Sequence, residues 1–191
     1  MAFGRERQTA LFIDGPNLFA TAQAINLNID YERLLNYYKK RHNLLRAYYY
    51  TALPPREDPS ELRPLIDWLD YHGYTIVTKP TKSYTDQDGR IKLKGNLDTE
   101  ITLDVVDLVP NLTDIILFSG DGDFTALVRW VQRRGIKVTV VSTCMSTTTA
   151  GRPSPMVADE LRRAADVFVD LGENPEYPSN LREAITREDR R

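Results

Sequence analysis

One stretch of sequence decides the fold: Ile115-Ile116-Leu117-Phe118-Ser119-Gly120-Asp121-Gly122-Asp123. Its four leading apolar residues predict a buried strand, and the apolar spacing over residues 124–134 predicts a helix directly after it. A buried strand that runs straight into a helix indicates a parallel α/β sheet, where ligands bind beyond the carboxyl ends of strands. Two glycines allow a tight turn and separate two carboxylates, Asp121 and Asp123. This corner is therefore a candidate metal site.

Length and composition set bounds on what the chain can be. Its 191 residues suit one sizeable α/β domain, and 41% hydrophobic with 27% charged residues is ordinary for a globular protein. The formal net charge of -2 gives no global basic field, so nucleic-acid binding would need a local patch. The chain has one cysteine, Cys144, and two histidines, His42 and His72, which argues against a zinc site built from Cys or His.

The sequence predicts a cytoplasmic protein. Arg5 and Arg7 precede a short apolar run that already contains Asp14, which does not fit the core of a signal peptide. No apolar stretch approaches the ~20 residues of a membrane-spanning helix. The single cysteine excludes an internal disulfide and fits a reducing compartment.

Apolar runs and helical spacing alternate along the chain. Strands are predicted at residues 9–13, 44–51, 74–78, 115–118, 136–141 and 167–171. Helices are predicted at residues 18–25, 31–40, 60–71, from Asn96 or Asp98 to Pro110, 124–134 and 155–165. This alternation predicts a Rossmann-like parallel sheet with helices on both faces.

Three polar segments are predicted to lie outside this framework. Residues 79–95 are rich in Lys and Arg and contain the turn signal Asp88-Gly89, which predicts an exposed hairpin or a flexible loop. Residues 142–154 are rich in Ser, Thr, Gly and Pro and are predicted to form a loop. The domain is expected to span residues 8–171, and residues 172–191 to form a polar, mobile tail with at most a helical fragment from Leu181.

Four aspartates are predicted to meet at one sheet edge. Asp14 ends the first strand, and Asp121 and Asp123 follow the fourth, which often neighbours the first where strand order reverses. Asp98 begins a helix antiparallel to the fourth strand, so it starts at that same edge. Four such carboxylates repel each other unless a cation neutralises them, and Mg²⁺ or Mn²⁺ suits their hard oxygen ligands. Taken singly, Asp98, Asp121 and Asp123 could equally be helix caps or turn residues.

Two nearby residues have roles that the pattern leaves open. Asn17 could hold a phosphate, order Asp14 or cap the first helix. Asp104 follows Asp98 by six positions, roughly 120° around a helix, so an ideal helix cannot point both at one ion. Glu100, Asp104 and Asp107 share a face that is more typical of a solvated helix surface.

The motifs resemble those of the NYN domain family, most closely its LabA-like branch. They are Phe12-Ile13-Asp14-Gly15-Pro16-Asn17, Lys94-Gly95-Asn96-Leu97-Asp98 with Asp104 beyond it, and Leu117-Phe118-Ser119-Gly120-Asp121-Gly122-Asp123-Phe124. Residues 135–138 and 161–171 are similar to that branch as well. The resemblance covers residues 8–171 and implies a PIN-like nuclease with a Mg²⁺-dependent ribonuclease site.

The resemblance also implies roles for single residues. Asp14, Asp98, Asp121 and Asp123 match the family's acidic positions, and hence the catalytic and metal-binding ones. Asn17 and Ser119 match polar positions beside the site. Asp104 matches a further family position, which would lie behind the metal ligands.

Three functions follow as hypotheses. The first is a ribonuclease whose basic residues near Asp98, Lys94 above all, contact RNA; those residues could equally be a solvated surface. The second is a regulatory module that keeps the acidic pocket and binds RNA or protein without cleavage. The third is another phosphoryl-transfer enzyme, which a small closed pocket would support. Homodimerisation through exposed helices is compatible with the sequence and is not established by it.

Overall fold

Strands and helices alternate along the chain, as the sequence predicts. The computed structural model describes residues 7–54, 60–85, 91–94, 96–149, 152–172, 174–176 and 179–187. Its strands are β1 (Thr9–Asp14), β2 (Leu44–Leu53), β3 (Thr75–Pro80), β4 (Lys82–Thr85), β5 (Ile91–Lys94), β6 (Asp114–Phe118), β7 (Lys137–Ser142), β8 (Ser146–Thr149), β9 (Arg152–Pro155) and β10 (Val167–Asp170). Its helices are α1 (Gly15–Ala24), α2 (Tyr31–Arg41), α3 (Arg63–Tyr71), α4 (Asp98–Leu108), α5 (Thr125–Gln132), α6 (Asp159–Ala164) and α7 (Leu181–Ile185), with 3₁₀ turns at Val109–Asn111 and Gly122–Phe124.

The main sheet is parallel throughout and reverses its order beside β1. Its six strands lie in the order β10-β7-β6-β1-β2-β3, and each neighbouring pair is parallel. The predicted pairing of β1 with β6 is confirmed, with Ile13 opposite Phe118. In this topology the crevice beyond the carboxyl ends of β1 and β6 is where ligands bind. The predicted α/β fold class is confirmed.

Alternate residues of β1 enter separate cores on the two faces of the sheet. Leu11 and Ile13 pack with buried residues of α1, α2, α3 and α7, while Ala10 and Phe12 pack with those of α4, α5 and α6. Because a strand buried on both faces has no solvent side, β1 is apolar from Ala10 to Ile13, and its last residue, Asp14, is half-buried. Asp14 therefore lies at the boundary of the core.

Two antiparallel hairpins extend the chain beyond the sheet's carboxyl edge. The hairpin alternative for residues 79–95 is confirmed, because β4 pairs with β5; the turn between them lies outside the described residues. The predicted loop at 142–154 is wrong, because β7 runs to Ser142 and β8 pairs with β9. Clustered Ser and Thr are typical of loops, although β-branched Thr also favours strands.

The starts of α1 and α6 differ from their predicted positions, and α3 begins at Arg63 rather than residue 60. α1 begins at Gly15 rather than residue 18, because Asp14 itself is the N-cap. α6 begins at Asp159 rather than residue 155, because Pro155 pairs with Ser146 in the β8–β9 hairpin. Both shifts bring an acidic residue to the start of a helix.

The segment 179–187 packs on the domain, which differs from the expected mobile tail. Leu181 and Ile185 are buried against the α2 side of the sheet, and Ile29 forms a bridge with Thr186. The guanidinium of Arg182 donates to the carbonyls of Leu171 and Ile25 at 3.0 and 3.1 Å. The spacing of Leu181 and Ile185 by four residues is the sequence signal for this contact, but the many charged residues around them favour a solvated segment instead. In the described part of the chain, no helix has the length and apolarity needed to cross a bilayer.

Candidate metal centre

Asp14 is held at the sheet edge by two hydrogen bonds. The Asn17 backbone N–H donates to its Oδ1 at 3.3 Å, which caps α1, and the Ser119 hydroxyl donates to its Oδ2 at 3.1 Å. Ser119 follows β6, so this second bond joins the ends of the two strands at the reversal point. A carboxylate offers about four lone-pair sites, so Asp14 keeps acceptor capacity for an ion or water.

The turn after β6 is fixed from both sides. The Asp121 N–H donates to the Ser119 hydroxyl at 3.2 Å, and the Gly120 N–H donates to Oδ1 of Asn17 at 2.9 Å. Of the alternatives for Asn17, the helix cap is therefore wrong, because Asp14 occupies that position and Asn17 orders the turn. A Cβ on Gly120 would lie 1.9 Å from the Met156 carbonyl oxygen, which explains the glycine.

Three of the predicted aspartates converge. Carboxylate oxygens of Asp98, Asp121 and Asp123 all lie within 4.8 Å of one another, and we call these three residues the acidic trio. Asp121 caps the 3₁₀ turn by accepting the Asp123 N–H at 3.0 Å. Asp98 is the first residue of α4 and is bound by Asn96, whose amide donates to Asp98 Oδ2 at 2.7 Å and whose Oδ1 accepts the Asp98 N–H at 2.7 Å. Asp14 lies outside the acidic trio and is linked to it through Ser119.

Two carboxylates at this edge, Asp14 and Asp98, have a raised pKa. Burial is the main reason that the pKa of Asp14 is raised to about 6, and the charges of Asp98 and Asp121 contribute to the rise. The hydrogen bonds from Asn17 and Ser119 oppose it. Burial also raises the pKa of Asp98. The Asn96 hydrogen bond opposes this rise, and the charges of Asp121 and Asp123 add to it. Negative charge is therefore concentrated at this edge beyond what the surroundings neutralise.

The donor set fits a hard divalent cation. It consists of carboxylate oxygens close enough to share one ion. Asp98 and Asp121 are half-buried, and Asp123 is exposed. No ion pair joins the acidic trio or Asp14 to a basic side chain within the described residues. Oxygen-only ligands with open positions for water suit Mg²⁺ or Mn²⁺ rather than zinc.

Asp104 faces a tyrosine rather than the acidic trio. The Tyr50 hydroxyl donates to Asp104 Oδ2 at 2.9 Å, and Tyr50 is fully buried on β2 opposite Asp14. Burial and the Asp104 carboxylate both raise the pKa of Tyr50, which keeps the hydroxyl protonated and able to donate. The angular argument that separated Asp104 from Asp98 agrees with this placement. The expectation of a plain solvated face is wrong for Asp104, and also for Glu100, which pairs with Lys79 at 2.7 Å.

Two residues at the edge were not singled out from the sequence. Asn96 binds Asp98 twice, and an Asn two positions before an acidic helix start is a recognisable Asx-turn signal. Glu160 reaches the turn from α6: a Cβ on Gly122 would lie 2.7 Å from its Oε1. Nothing local marked Glu160, because it is distant in sequence. Lys94 is the last residue of β5, and its side chain lies outside what the structure describes.

The acidic trio lies at a partly exposed edge, since Asp98 and Asp121 are half-buried and Asp123 is exposed. A cavity of about 1560 Å³ between α1, α2 and α3 contains none of the four aspartates. Cys144 is no alternative nucleophile, because burial and the Asp170 carboxylate raise the pKa of its thiol to about 11.

The placement of Asn17 gives a test of its role. Replacing Asn17 with alanine leaves the buried Gly120 N–H without its acceptor, so we expect the metal-free protein to lose about 1–2 kcal/mol of unfolding free energy. Asn36→Ala, at an exposed position of α2, is the control and should change stability by less than about 0.5 kcal/mol. Urea denaturation in EDTA measures both. Equal stability of the two variants would mean that Asn17 acts only on ligands.

Comparisons with known proteins agree with this fold. The chain matches the model of the NYN domain over residues 8–172. It is 38% identical over 177 residues to the low amplitude and bright protein LabA of Synechococcus elongatus, covering 91% of this chain and 88% of that protein. An uncharacterized protein of Methanocaldococcus jannaschii is 26% identical over 171 residues, 57% of its length. The crystal structure of a protein of unknown function from Vibrio parahaemolyticus aligns over 93% of this chain and 99% of that one, with a TM-score of 0.69 and 27% identity.

Proposed function

The chain belongs to the NYN domain family, and from this membership and its acidic edge we propose that it is a metal-dependent ribonuclease. The reaction is hydrolysis of RNA phosphodiester bonds. The observation that carries the proposal is the convergence of Asp98, Asp121 and Asp123 at the strand-order reversal, with no basic side chain paired to them in the described residues. A cation bound among these carboxylates would offset their mutual repulsion at neutral pH.

The acidic trio would hold Mg²⁺ or Mn²⁺. When bound, the ion activates water as a nucleophile and stabilises charge on the phosphate and the leaving oxygen. Asp121 is held by the backbone of its own 3₁₀ turn, and Asp98 by Asn96, so both carboxylates are ordered before a ligand arrives. Such preorganisation lowers the cost of binding a cation.

Asp14 would support the reaction from its position next to the acidic trio. Its two hydrogen bonds fix both oxygens, and Ser119 connects it to the Asp121 backbone. With its remaining lone pairs Asp14 could bind an ion or orient a water. Burial and the neighbouring carboxylates raise its pKa, so a cation beside it would favour its charged form. The Asn17 amide remains available to a phosphate through its Nδ2, because its Oδ1 is used by Gly120.

An open edge favours a polymer over a small phosphate ester. Asp123 is exposed, and the cavity of about 1560 Å³ between α1, α2 and α3 contains none of the four aspartates. A phosphatase or similar phosphoryl-transfer enzyme would be expected to enclose its substrate. Among the hypotheses from the sequence, the ribonuclease therefore has the better geometric support.

Metal-dependent RNA cleavage is the direct test. Purified protein with Mg²⁺ or Mn²⁺ is expected to shorten a labelled single-stranded RNA, and EDTA is expected to stop the reaction. Refilling the chelated protein with Mg²⁺ should restore cleavage, which separates a requirement for metal from damage by the chelator. Thermal unfolding of the same samples should show a higher Tm with Mg²⁺, because a ligand that binds only the folded state stabilises it.

The outcomes distinguish the proposed enzyme from its alternative. Cleavage that continues in EDTA contradicts the metal-dependent mechanism. Binding of RNA without cleavage, with either metal and across several RNAs, would instead support a regulatory module that keeps the acidic edge.

A further inference from the structure

Lys79 connects an edge strand of the sheet to the start of α4. Its ammonium donates to the Glu100 carboxylate at 2.7 Å and to the Asn96 carbonyl at 3.5 Å. Lys79 lies near the end of β3, Glu100 is in the first turn of α4, and Asn96 comes two residues before that helix. The lysine therefore joins two segments that are separated along the chain by the β4–β5 hairpin.

The alternation of side chains along β3 explains why a lysine reaches this helix. Val77 packs in the core on the α4 side of the sheet, together with Leu97 and Ile101. Residues two apart in a strand share a face, so Lys79 lies on the same side as Val77. A positive charge near the N-terminus of a helix is unfavourable, because that end of the helix already carries partial positive charge. The groups that Lys79 binds therefore explain its position better than the helix does.

The segment that Lys79 holds also holds Asp98. The Asn96 amide donates to Asp98 Oδ2 at 2.7 Å, and Asn96 Oδ1 accepts the Asp98 N–H at 2.7 Å. Among the hydrogen bonds of the described residues, none uses the other carboxylate oxygen of Asp98, Oδ1. A carboxylate that is fixed through one oxygen in this way can offer the other to a cation.

The Lys79–Glu100 ion pair acts locally rather than on the whole fold. The two side chains are 42% and 31% exposed, and ion pairs this exposed contribute little to global stability. The second oxygen of Glu100, Oε2, is buried and has no hydrogen-bond partner among the described residues. Loss of the lysine would leave this carboxylate uncompensated in the first turn of α4, which is the turn that begins with Asp98.

We propose that Lys79 is a positioning residue of the metal centre: it holds the segment before α4 so that the Asp98 carboxylate is ready for the cation of the acidic trio. The inference rests on the proposed function, which requires that cation. In this role Lys79 contacts neither the cation nor RNA and acts through Asn96. Groups that orient metal ligands commonly change metal affinity by about 10–100-fold when they are removed, and a group one step further away should have a smaller effect.

Mn²⁺ affinity tests the inference without a measurement of activity. The metal-free protein is titrated with Mn²⁺, and electron paramagnetic resonance measures the free ion. We expect Lys79→Gln to bind Mn²⁺ about fivefold more weakly than wild type. Charge alone predicts the opposite result, because removal of a nearby positive charge reduces the repulsion of a cation. The direction of the change therefore separates positioning from simple electrostatics.

Further variants locate the effect. Asn96→Ala should weaken Mn²⁺ binding about tenfold, and Lys79→Gln added to it should cause no further loss, because both changes break the same connection. Lys79→Arg keeps the charge and the donors, so it should restore most of the affinity. Lys40→Gln, at an exposed position of α2, is the matched control and should bind Mn²⁺ as wild type does. The Tm of Lys79→Gln without metal should stay close to that of wild type.

The outcomes separate this inference from the ribonuclease proposal. Unchanged or tighter Mn²⁺ binding by Lys79→Gln overturns the inference, as does an equal loss in Lys40→Gln. A further loss in the double variant, or a Lys79→Arg variant as weak as Lys79→Gln, overturns it too. A wild type that binds no Mn²⁺ overturns both the inference and the metal-dependent mechanism. If Mn²⁺ binding depends on Lys79 as expected and no RNA is cleaved, the inference stands and the ribonuclease proposal fails.

Discussion

Replacing Asp121 with asparagine is expected to reduce RNA cleavage by on the order of 10³-fold or more in kcat/KM. Asp121 belongs to the acidic trio, and its Oδ1 also accepts the Asp123 N–H. Asparagine keeps an oxygen that can accept this hydrogen bond, so the 3₁₀ turn should survive. The charge that would hold the cation is lost. The expected result is therefore a folded protein with greatly reduced activity.

The control for this prediction is Asp107→Asn on α4. Asp107 is exposed and outside the acidic trio, so the variant has the same change in net charge and should cleave RNA at the wild-type rate. Circular dichroism and the Tm in EDTA confirm that both variants fold. Full activity in Asp121→Asn would locate cleavage at another site or in a contaminant. Equal losses in both variants would attribute the effect to net charge rather than to metal binding.

The sheet was predictable because its strands are buried on both faces. β1 and β6 are nearly uninterrupted apolar runs, so their positions and their pairing followed from composition and from the strand order of doubly wound sheets. Asp14 stood out because it ends such a run, and Asp121 because only Ser119 and Gly120 separate it from one. An ionisable residue at or just after the end of a buried strand must lie near the sheet edge, so this part of the site could be predicted.

Contacts between distant segments were not predictable in this way. Glu160 approaches Gly122 only because the β8–β9 hairpin folds back and the Ala158 N–H donates to the Gly120 carbonyl at 2.9 Å. The bond from Tyr50 to Asp104 joins positions 54 residues apart. Neither contact has a local spacing that announces it, because each depends on how helices settle on the sheet.

Short polar elements were also difficult to predict from the sequence. The strands β8 and β9 consist of Ser, Thr, Pro and Arg, a composition that is typical of a loop. Pairing energy there comes from backbone hydrogen bonds between two edge strands, which composition does not report. Composition also gives little sign of α7, because only two apolar residues, Leu181 and Ile185, supply its packing and the remaining positions are polar or small.

The raised pKa of Asp14 predicts an unusual pH dependence of stability. Its pKa rises from 3.8 to about 6 on folding, so the folded state holds more protons than the unfolded state between these values. The stabilising contribution is complete below pH 3.8, declines as pH rises towards 6, and is absent above it. The free energy at stake is about 3 kcal/mol, since one pKa unit corresponds to about 1.4 kcal/mol. Metal-free wild type should therefore be weakened at neutral pH by this carboxylate.

Asp14→Asn removes this titration and isolates it from all other groups. Asparagine has no charge at any pH and keeps an oxygen to accept the Asn17 N–H, so the variant should be about 3 kcal/mol more stable than wild type at pH 7 in EDTA. From about pH 4 to 7 the difference between the two proteins should grow by about 2–3 kcal/mol. Urea denaturation across that range, with Asp107→Asn as the control that should follow wild type, measures it. Curves for Asp14→Asn and wild type that run parallel would contradict the assignment.

Adding Mg²⁺ should narrow the difference in stability between wild type and Asp14→Asn. An ion bound to the carboxylates stabilises wild type by about 2.7 kcal/mol at one hundred times its Kd, and the variant, lacking one negative charge beside the acidic trio, should gain less. The same charge that destabilises the empty edge thus becomes the source of affinity when a cation arrives. If Asp14→Asn gained as much from Mg²⁺ as wild type, Asp14 would be a structural cap of α1 and take no part in holding the ion.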